Sequence, residues 1–247
     1  MTEASDMGMN RTGIGMAPRL SEEMIRDAET SIPTSGGDGH QIDALRQIYL
    51  RDSRPIGTVP PPVTARGAAQ AGKHMLQGHR PSVFLDRLGE RLAFERTGTR
   101  LYEAVIAKLD AVGTWDHGPT REELEAFHGE ELAHFEMVRE AIEYLGGDPT
   151  VVTPSADVSG VTASGVLLVI TDPRSSLGHS LQALLVAELA DNDAWHMLIR
   201  LAEALGQNDL SRRFHQVLLD EDRHLLSVRA WLITEMEQDL KGGVRPH

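Results

Sequence analysis

Residues 120–147 read TREELEAFHGEELAHFEMVREAIEYLGG, a stretch with a helix start, a helix stop and a polar motif between them. Thr120 and Glu123 have the spacing of a capping box, in which each side chain satisfies a free backbone amide at the start of a helix. The Gly146-Gly147 pair ends the helix. Within it lies Glu131-Leu-Ala-His134. Residues three apart on a helix point the same way, so this carboxylate and imidazole can bind one cation together.

A second copy of the spacing occurs at Glu221-Asp-Arg-His224, and a third at Glu125-Ala-Phe-His128. With 20 Glu and 11 His in the chain, about one such spacing is expected by chance, so the motif alone decides nothing. The conjunction does more. Each of the first two copies is preceded by a helical segment with one glutamate in an apolar setting, Glu95 in Leu92-Ala-Phe-Glu95 and Glu188 in Leu185-Val-Ala-Glu188. An aromatic follows seven residues later in both, Tyr102 and Trp195, and Val138-Arg139 matches Val228-Arg229 after the two histidines. The halves read as a degenerate internal repeat.

Four long segments of helical period carry this repeat. The first runs from about Val83 to Val112, with Leu85, Leu88, Leu92, Glu95, Thr99, Tyr102, Val105 and Ile106 on one face, and ends at Gly113. The second is the stretch quoted above. The third starts after Asp172-Pro173, capped by Ser175 or Ser176, and ends near Gly206; the fourth starts at Asn208 or Ser211 and reaches about Asp239. The connection from Gly146 to about Arg174 is long, with a short extra helix or extended piece expected at Val161 to Thr171. An all-α fold follows: two antiparallel helix pairs joined by one long crossover, a four-helix bundle over 81–240. Residues 1–80 are expected to form an N-terminal arm with short helices at Ser21–Glu29, Ile42–Leu50 and Ala65–Leu76, the last two separated by the Pro-rich run Ser53–Pro62.

Charge narrows the partners. Residues 1–80 carry 9 basic and 9 acidic side chains, so the net charge of −13 belongs wholly to 81–247. Such a surface repels phosphate, which makes nucleic acid a poor partner and cations a good one. The absence of cysteine excludes disulfides, thiolate chemistry, Cys-zinc sites and iron–sulfur clusters. The N-terminal stretch lacks the apolar core of a signal peptide, and Val161–Thr171 is too short to span a bilayer, so a cytoplasmic protein with no membrane partner is expected.

Four carboxylates and two imidazoles directed into a bundle core are costly unless paired. A dinuclear metal site is the economical arrangement, with Glu95, Glu131, His134, Glu188, Glu221 and His224 as its ligands. The competing explanation leaves these groups in solvent or paired with Arg96, Arg100 and Arg223.

The order Glu, Glu-x-x-His, Glu, Glu-x-x-His resembles the ferritin-like di-iron carboxylate superfamily, most closely its rubrerythrin-type and bacterial ferritin-like domain members, over roughly residues 83–239. The resemblance implies that Glu95 and Glu188 are terminal ligands and that Glu131 and Glu221 bridge the metals. His134 then caps the ion shared with Glu95, and His224 the ion shared with Glu188. Asp191 falls where rubrerythrins carry a further carboxylate, but is one methylene shorter, and a ligand role, a supporting role and a place on the surface all stay open. Without the Cys-rich rubredoxin centre of full-length rubrerythrins, electrons must come from an external donor. The cofactor so implied is two iron ions, with manganese or a mixed Fe/Mn pair obeying the same hard-ligand chemistry. The implied activity is that of an oxidoreductase reacting with peroxide or dioxygen, a di-iron peroxidase or oxidase. Alternatives are a ferroxidase or iron-handling protein and a metal-stabilised, non-enzymatic scaffold; a homo-oligomer is compatible with each.

Other residues rank lower. Glu125 and His128 lack a counterpart in the fourth segment and read as an ordinary helix face. Glu130 is an alternative to Glu131, but only Glu131 keeps the repeat in register. Tyr102 and Trp195 read as core residues, His196 and His215 as surface or supporting groups, and Asn192 as a neighbour one turn from Glu188.

Overall fold

The computed structural model describes residues 18–31, 39–76, 78 and 80–241; the part of the expected arm in 1–17 and 32–38 lies outside the described residues. These residues form eight α-helices and no strand. The chain divides into two compact units, 1–55 and 56–247. The first contains α1 (Pro18–Thr30) and α2 (His40–Asp52), neither of which buries a residue.

The second unit holds α3 (Ala65–Leu76), α4 (Pro81–Val112), α5 (Arg121–Tyr144), α6 (Pro154–Thr171), α7 (Leu177–Ala204) and α8 (Asn208–Leu240). Local chemistry sets the starts. Thr120 and Glu123 form the capping box at α5, Thr153 accepts from the Ala156 amide at α6, and Ser176 caps α7 with His179 in the reciprocal role. The end of α5 is fixed by Gly146 at φ 82°. A side chain there is disfavoured both by this left-handed backbone and by space, since a Cβ would lie 2.6 Å from the Cα of Gly67. The Val63 amide donates to the Gly146 carbonyl at 2.8 Å, so the segment before α4 is fastened to the end of α5.

Helices α4, α5, α7 and α8 share two apolar cores. One contains Phe84, Leu88 and Leu92 of α4, Val138 and Ile142 of α5, Trp195 and Leu198 of α7, and Phe214 and Val217 of α8. The other contains Leu101, Tyr102 and Val105 of α4, Leu124 and Phe127 of α5, Leu181 and Leu184 of α7, and Val228 and Trp231 of α8. Full burial of each such side chain contributes about 1.5–3 kcal/mol. The order in which the chain visits the cores gives the directions: α4 and α8 run from the first to the second, α5 and α7 from the second to the first. The chain therefore has to return along the length of the helices between α5 and α7, and α6 makes that return, packed against α4 and α7.

At 18 residues α6 is longer than the short piece expected from the sequence, because Thr153 and Pro154 start it well before Val161. It is the helix among the described residues that is long and apolar enough to cross a membrane by length and composition. Val158, Val161, Leu168 and Val169 are exposed on it.

Candidate metal centre

Between the two apolar cores, each long helix presents polar side chains to the interior. Glu95 comes from α4, Glu131 and His134 from α5, Glu188 and Asp191 from α7, and Glu221 and His224 from α8; all are buried. They fall into three overlapping groups whose donor atoms lie within 4.8 Å of one another: Glu131, Glu188, Glu221 and His224; Glu95, His134 and Glu221; and Glu95, Glu131, Asp191 and Glu221. Glu221 belongs to all three, and Glu95 and Glu131 to two each. All six residues of the repeat are brought together, with Asp191 beside them.

Both imidazoles turn the same nitrogen inward. His134 Nδ1 lies 2.8 Å from Glu221 Oε1 and 3.8 Å from Glu95 Oε2, and His224 Nδ1 lies 3.5 Å from Glu131 Oε1 and from Glu221 Oε2. These contacts are close without being aligned as hydrogen bonds. Among the described residues, both Nδ1 atoms, both oxygens of Glu95 and of Glu221, and one oxygen each of Glu131 and Glu188 are buried with no hydrogen-bond partner. Buried polar groups are nearly always satisfied, and these atoms, packed against one another without aligned hydrogen bonds, form groups that could hold a cation. Hard carboxylate oxygens with imidazole fit iron or manganese.

The outward nitrogens are held crosswise. His224 Nε2, from α8, lies 2.7 Å from Glu130 Oε2 of α5, and His134 Nε2, from α5, lies 3.5 Å from Asp220 Oδ2 of α8. Arg223 grips Glu130 in turn at 2.5 Å. A carboxylate at Nε2 fixes the proton there and leaves the Nδ1 lone pair free for a metal. Glu130 is thus a support for His224. Its counterpart is Asp220, so the repeat extends by one residue on the N-terminal side, an acid immediately before each glutamate of Glu-x-x-His.

Two further side chains hold carboxylates. The buried Tyr102 hydroxyl donates to Glu188 Oε1 at 2.6 Å, so this core residue is also a positioning one. Arg91, one turn before Glu95, is itself buried; its Nε lies 3.0 Å from Glu95 Oε1 and its Nη1 2.7 Å from Asp191 Oδ1. Gly98 serves by lacking a side chain, since a Cβ there would stand 2.1 Å from Glu131 Oε2. Arg91 and Gly98 escaped the sequence reading. A lone arginine on an apolar helix face and a glycine one turn after Glu95 were the signals available for them.

Burial and mutual charge shift the titration of these groups. Burial, then the charge of Asp191, pushes Glu95 well above the usual carboxylate range despite Arg91. Burial and the charge of Glu221 do the same to Glu131. Burial and Glu221 raise Glu188 to about 7. Burial would lower His224, but the Glu131 and Glu221 carboxylates beside it push it up to about 12. Against burial, the two histidines pull Glu221 down to about 2.

The remaining candidates fall outside. Glu125 pairs with Arg121 at 2.8 Å, and His128 lies 3.4 Å from Glu103. Asn192 donates to Asp222 at 2.7 Å, Trp195 sets its ring edgewise to His134, and His196 and His215 are exposed. Compared with protein-family models, with curated proteins and with solved structures, the chain finds no match.

Proposed function

We propose that α4, α5, α7 and α8 form a ferritin-like four-helix bundle around a dinuclear metal centre, most simply di-iron, that reacts with peroxide or dioxygen using electrons from an external donor. The observation that carries this reading is the meeting of four buried glutamates and two inward Nδ1 atoms between two apolar cores, with six of the eight carboxylate oxygens and both Nδ1 atoms making no aligned hydrogen bond. Glu95 and His134 would hold one ion and Glu188 and His224 the other, with Glu131 and Glu221 shared. Four carboxylates cancel the charge of two divalent ions, and the histidines add a neutral ligand to each. When bound, a reduced pair of such ions supplies two electrons to a small oxidant.

The surrounding residues have clear parts to play. Tyr102 holds Glu188 in place, Glu130 and Asp220 keep the imidazole protons on the outer nitrogens, and the flanking cores exclude water. A cleft of about 420 Å³ behind α4 has Leu92, Phe94, Thr97 and Phe135 in its walls but no residue of the cluster. This separation favours a small oxidant over a bulky organic substrate. Metal analysis of protein purified without added metal tests the reading, followed by the ultraviolet-visible spectrum of the reduced, loaded protein before and after peroxide. Rapid spectral change with turnover supports a peroxidase. Ferrous iron consumed well beyond the ligand capacity makes iron the substrate, and an inert metallated protein favours the scaffold alternative.

A further inference from the structure

Arg91 has no place in the six-residue ligand set, yet it is buried among them. Its guanidinium packs over the Phe94 ring at 4.2 Å and stands 5.8 Å from the Trp195 ring, so aromatic faces fix it from outside while its donors point inward. Nη1 reaches Asp191 on α7 and Nε reaches Glu95 on α4. Arginine keeps its charge under any physiological condition.

The charges then form a simple ledger. Ionised as they would be around metal, Glu95, Glu131, Glu188, Glu221 and Asp191 bring five negative charges to the cluster and the buried Arg91 one positive, which leaves four. Two divalent ions carry four positive charges. Without Asp191 the cage would be one charge short, and without Arg91 one in excess.

We propose that Arg91 is a fixed counter-ion of the centre, taking up the carboxylate of Asp191 and setting the net charge of the cage to that of two divalent ions. This rests on the dinuclear reading above and adds a consequence to it. A cage neutral with divalent ions disfavours any higher oxidation state, because each electron removed leaves an uncompensated charge in a medium of low dielectric constant. The Arg91–Asp191 pair therefore tunes the midpoint potential through charge, and its two members act in opposite directions.

The test is a set of four proteins, each assayed for metal content and for the midpoint potential of the loaded centre by spectroelectrochemical titration. Arg91→Met makes the cage more negative and should lower the potential, shifting the oxidised-to-reduced ratio at least tenfold, or about 59 mV for one electron. Asp191→Asn makes it less negative and should raise the potential by a similar factor. The double variant Arg91→Met/Asp191→Asn restores the count and should return close to wild type, and Arg91→Lys should stay there too. If Arg91→Met fails to fold, Asp191→Asn and the double variant still give the sign and the cancellation. Wild-type protein that holds no metal pair overturns the dinuclear reading and this inference with it. Wild-type protein with two metals, but with single variants that shift the potential in the same direction or leave it unmoved, overturns the counter-ion role alone.

Discussion

Gly98→Ala separates the needs of the helix from those of the centre. Gly98 sits in the interior of α4, where alanine favours the helix by about 1 kcal/mol, so on local grounds the substitution stabilises. Inside the cluster it does the reverse. The new Cβ would stand 2.1 Å from Glu131 Oε2 and 2.8 Å from Cδ, whereas ordinary contact begins near 3.4 Å. The carboxylate has to retreat by 1.3 Å, the difference between 3.4 and 2.1. Metal–ligand distances tolerate only about 0.2 Å, so a retreat of that size takes the oxygen out of coordination range. Disturbing even a supporting partner costs about 10–100-fold in metal affinity, and displacing a shared ligand should cost at least as much. Competition against a chelator, read beside thermal melting of the metal-free protein, gives both quantities. The expected pattern is a melting temperature unchanged or raised, with binding of one or both ions weakened by at least about tenfold. Gly129→Ala, on α5 with open space around its Cβ position, should gain the same helix stability and leave metal binding alone. Equal metal affinity in Gly98→Ala and wild type would refute the placement of Glu131.

The other expectations follow from neighbouring residues. Glu130→Gln should weaken the ion on the His224 side, and Asp220→Asn the ion on the His134 side, each by about tenfold or more; isothermal titration of the two variants checks this, and effects on the same ion would contradict the crosswise support. For the metal-free protein, Glu188 at about 7 keeps a proton that the unfolded chain loses above about 4.5, so stability falls as pH rises across that window by up to about 1.4 kcal/mol per pH unit. His224, raised to about 12, continues the fall above about 6.5. Glu221, lowered to about 2, contributes stability above about 4.5 that is lost as pH drops toward 2. Melting of chelator-treated protein should therefore be best near about pH 5 and worse at about pH 8, while metal affinity, which requires those protons to leave, should rise with pH. His128→Ala should leave metal content unchanged, because its partner is Glu103. A chain beginning at Ile56 should stay helical and bind metal, since 56–247 is a compact unit; loss of both properties would show that 1–55 completes it.

Much of this was legible in the sequence for identifiable reasons. Helix starts at Thr120 and Ser176 are written in short-range side-chain chemistry, and the ends at Gly113, Gly146 and Gly206 in glycines with positive φ. The six polar residues stood out because each is embedded in an apolar stripe, and because the stripe recurs in two halves. The parts that stayed hidden depend on contacts across the chain. Arg91 meets Asp191 a hundred residues away, a partner that its place on the apolar face of α4 does not announce. The role of Glu130 is set by the imidazole of another helix, so register within α5 could only make it a weaker rival of Glu131. Gly98 matters through a side chain it lacks, and the full length of α6 is hidden because Ser, Gly and Thr interrupt its apolar pattern. The boundary of the compact second unit at Ile56 depends on Val63 and Gly67 meeting Gly146, contacts that no periodicity in 56–80 announces.

If Glu131 and Glu221 are shared between two ions, the metal content of their variants must show it. Wild type, Glu131→Gln, Glu221→Gln and the double variant, each loaded with ferrous iron or manganese under anaerobic conditions and desalted, are assayed for metal per chain. About two ions per chain are expected in wild type, with most of the dinuclear occupancy lost in either single variant and nearly all in the double. Retention of both ions by the double variant, or a wild-type protein that takes up none, would contradict the account.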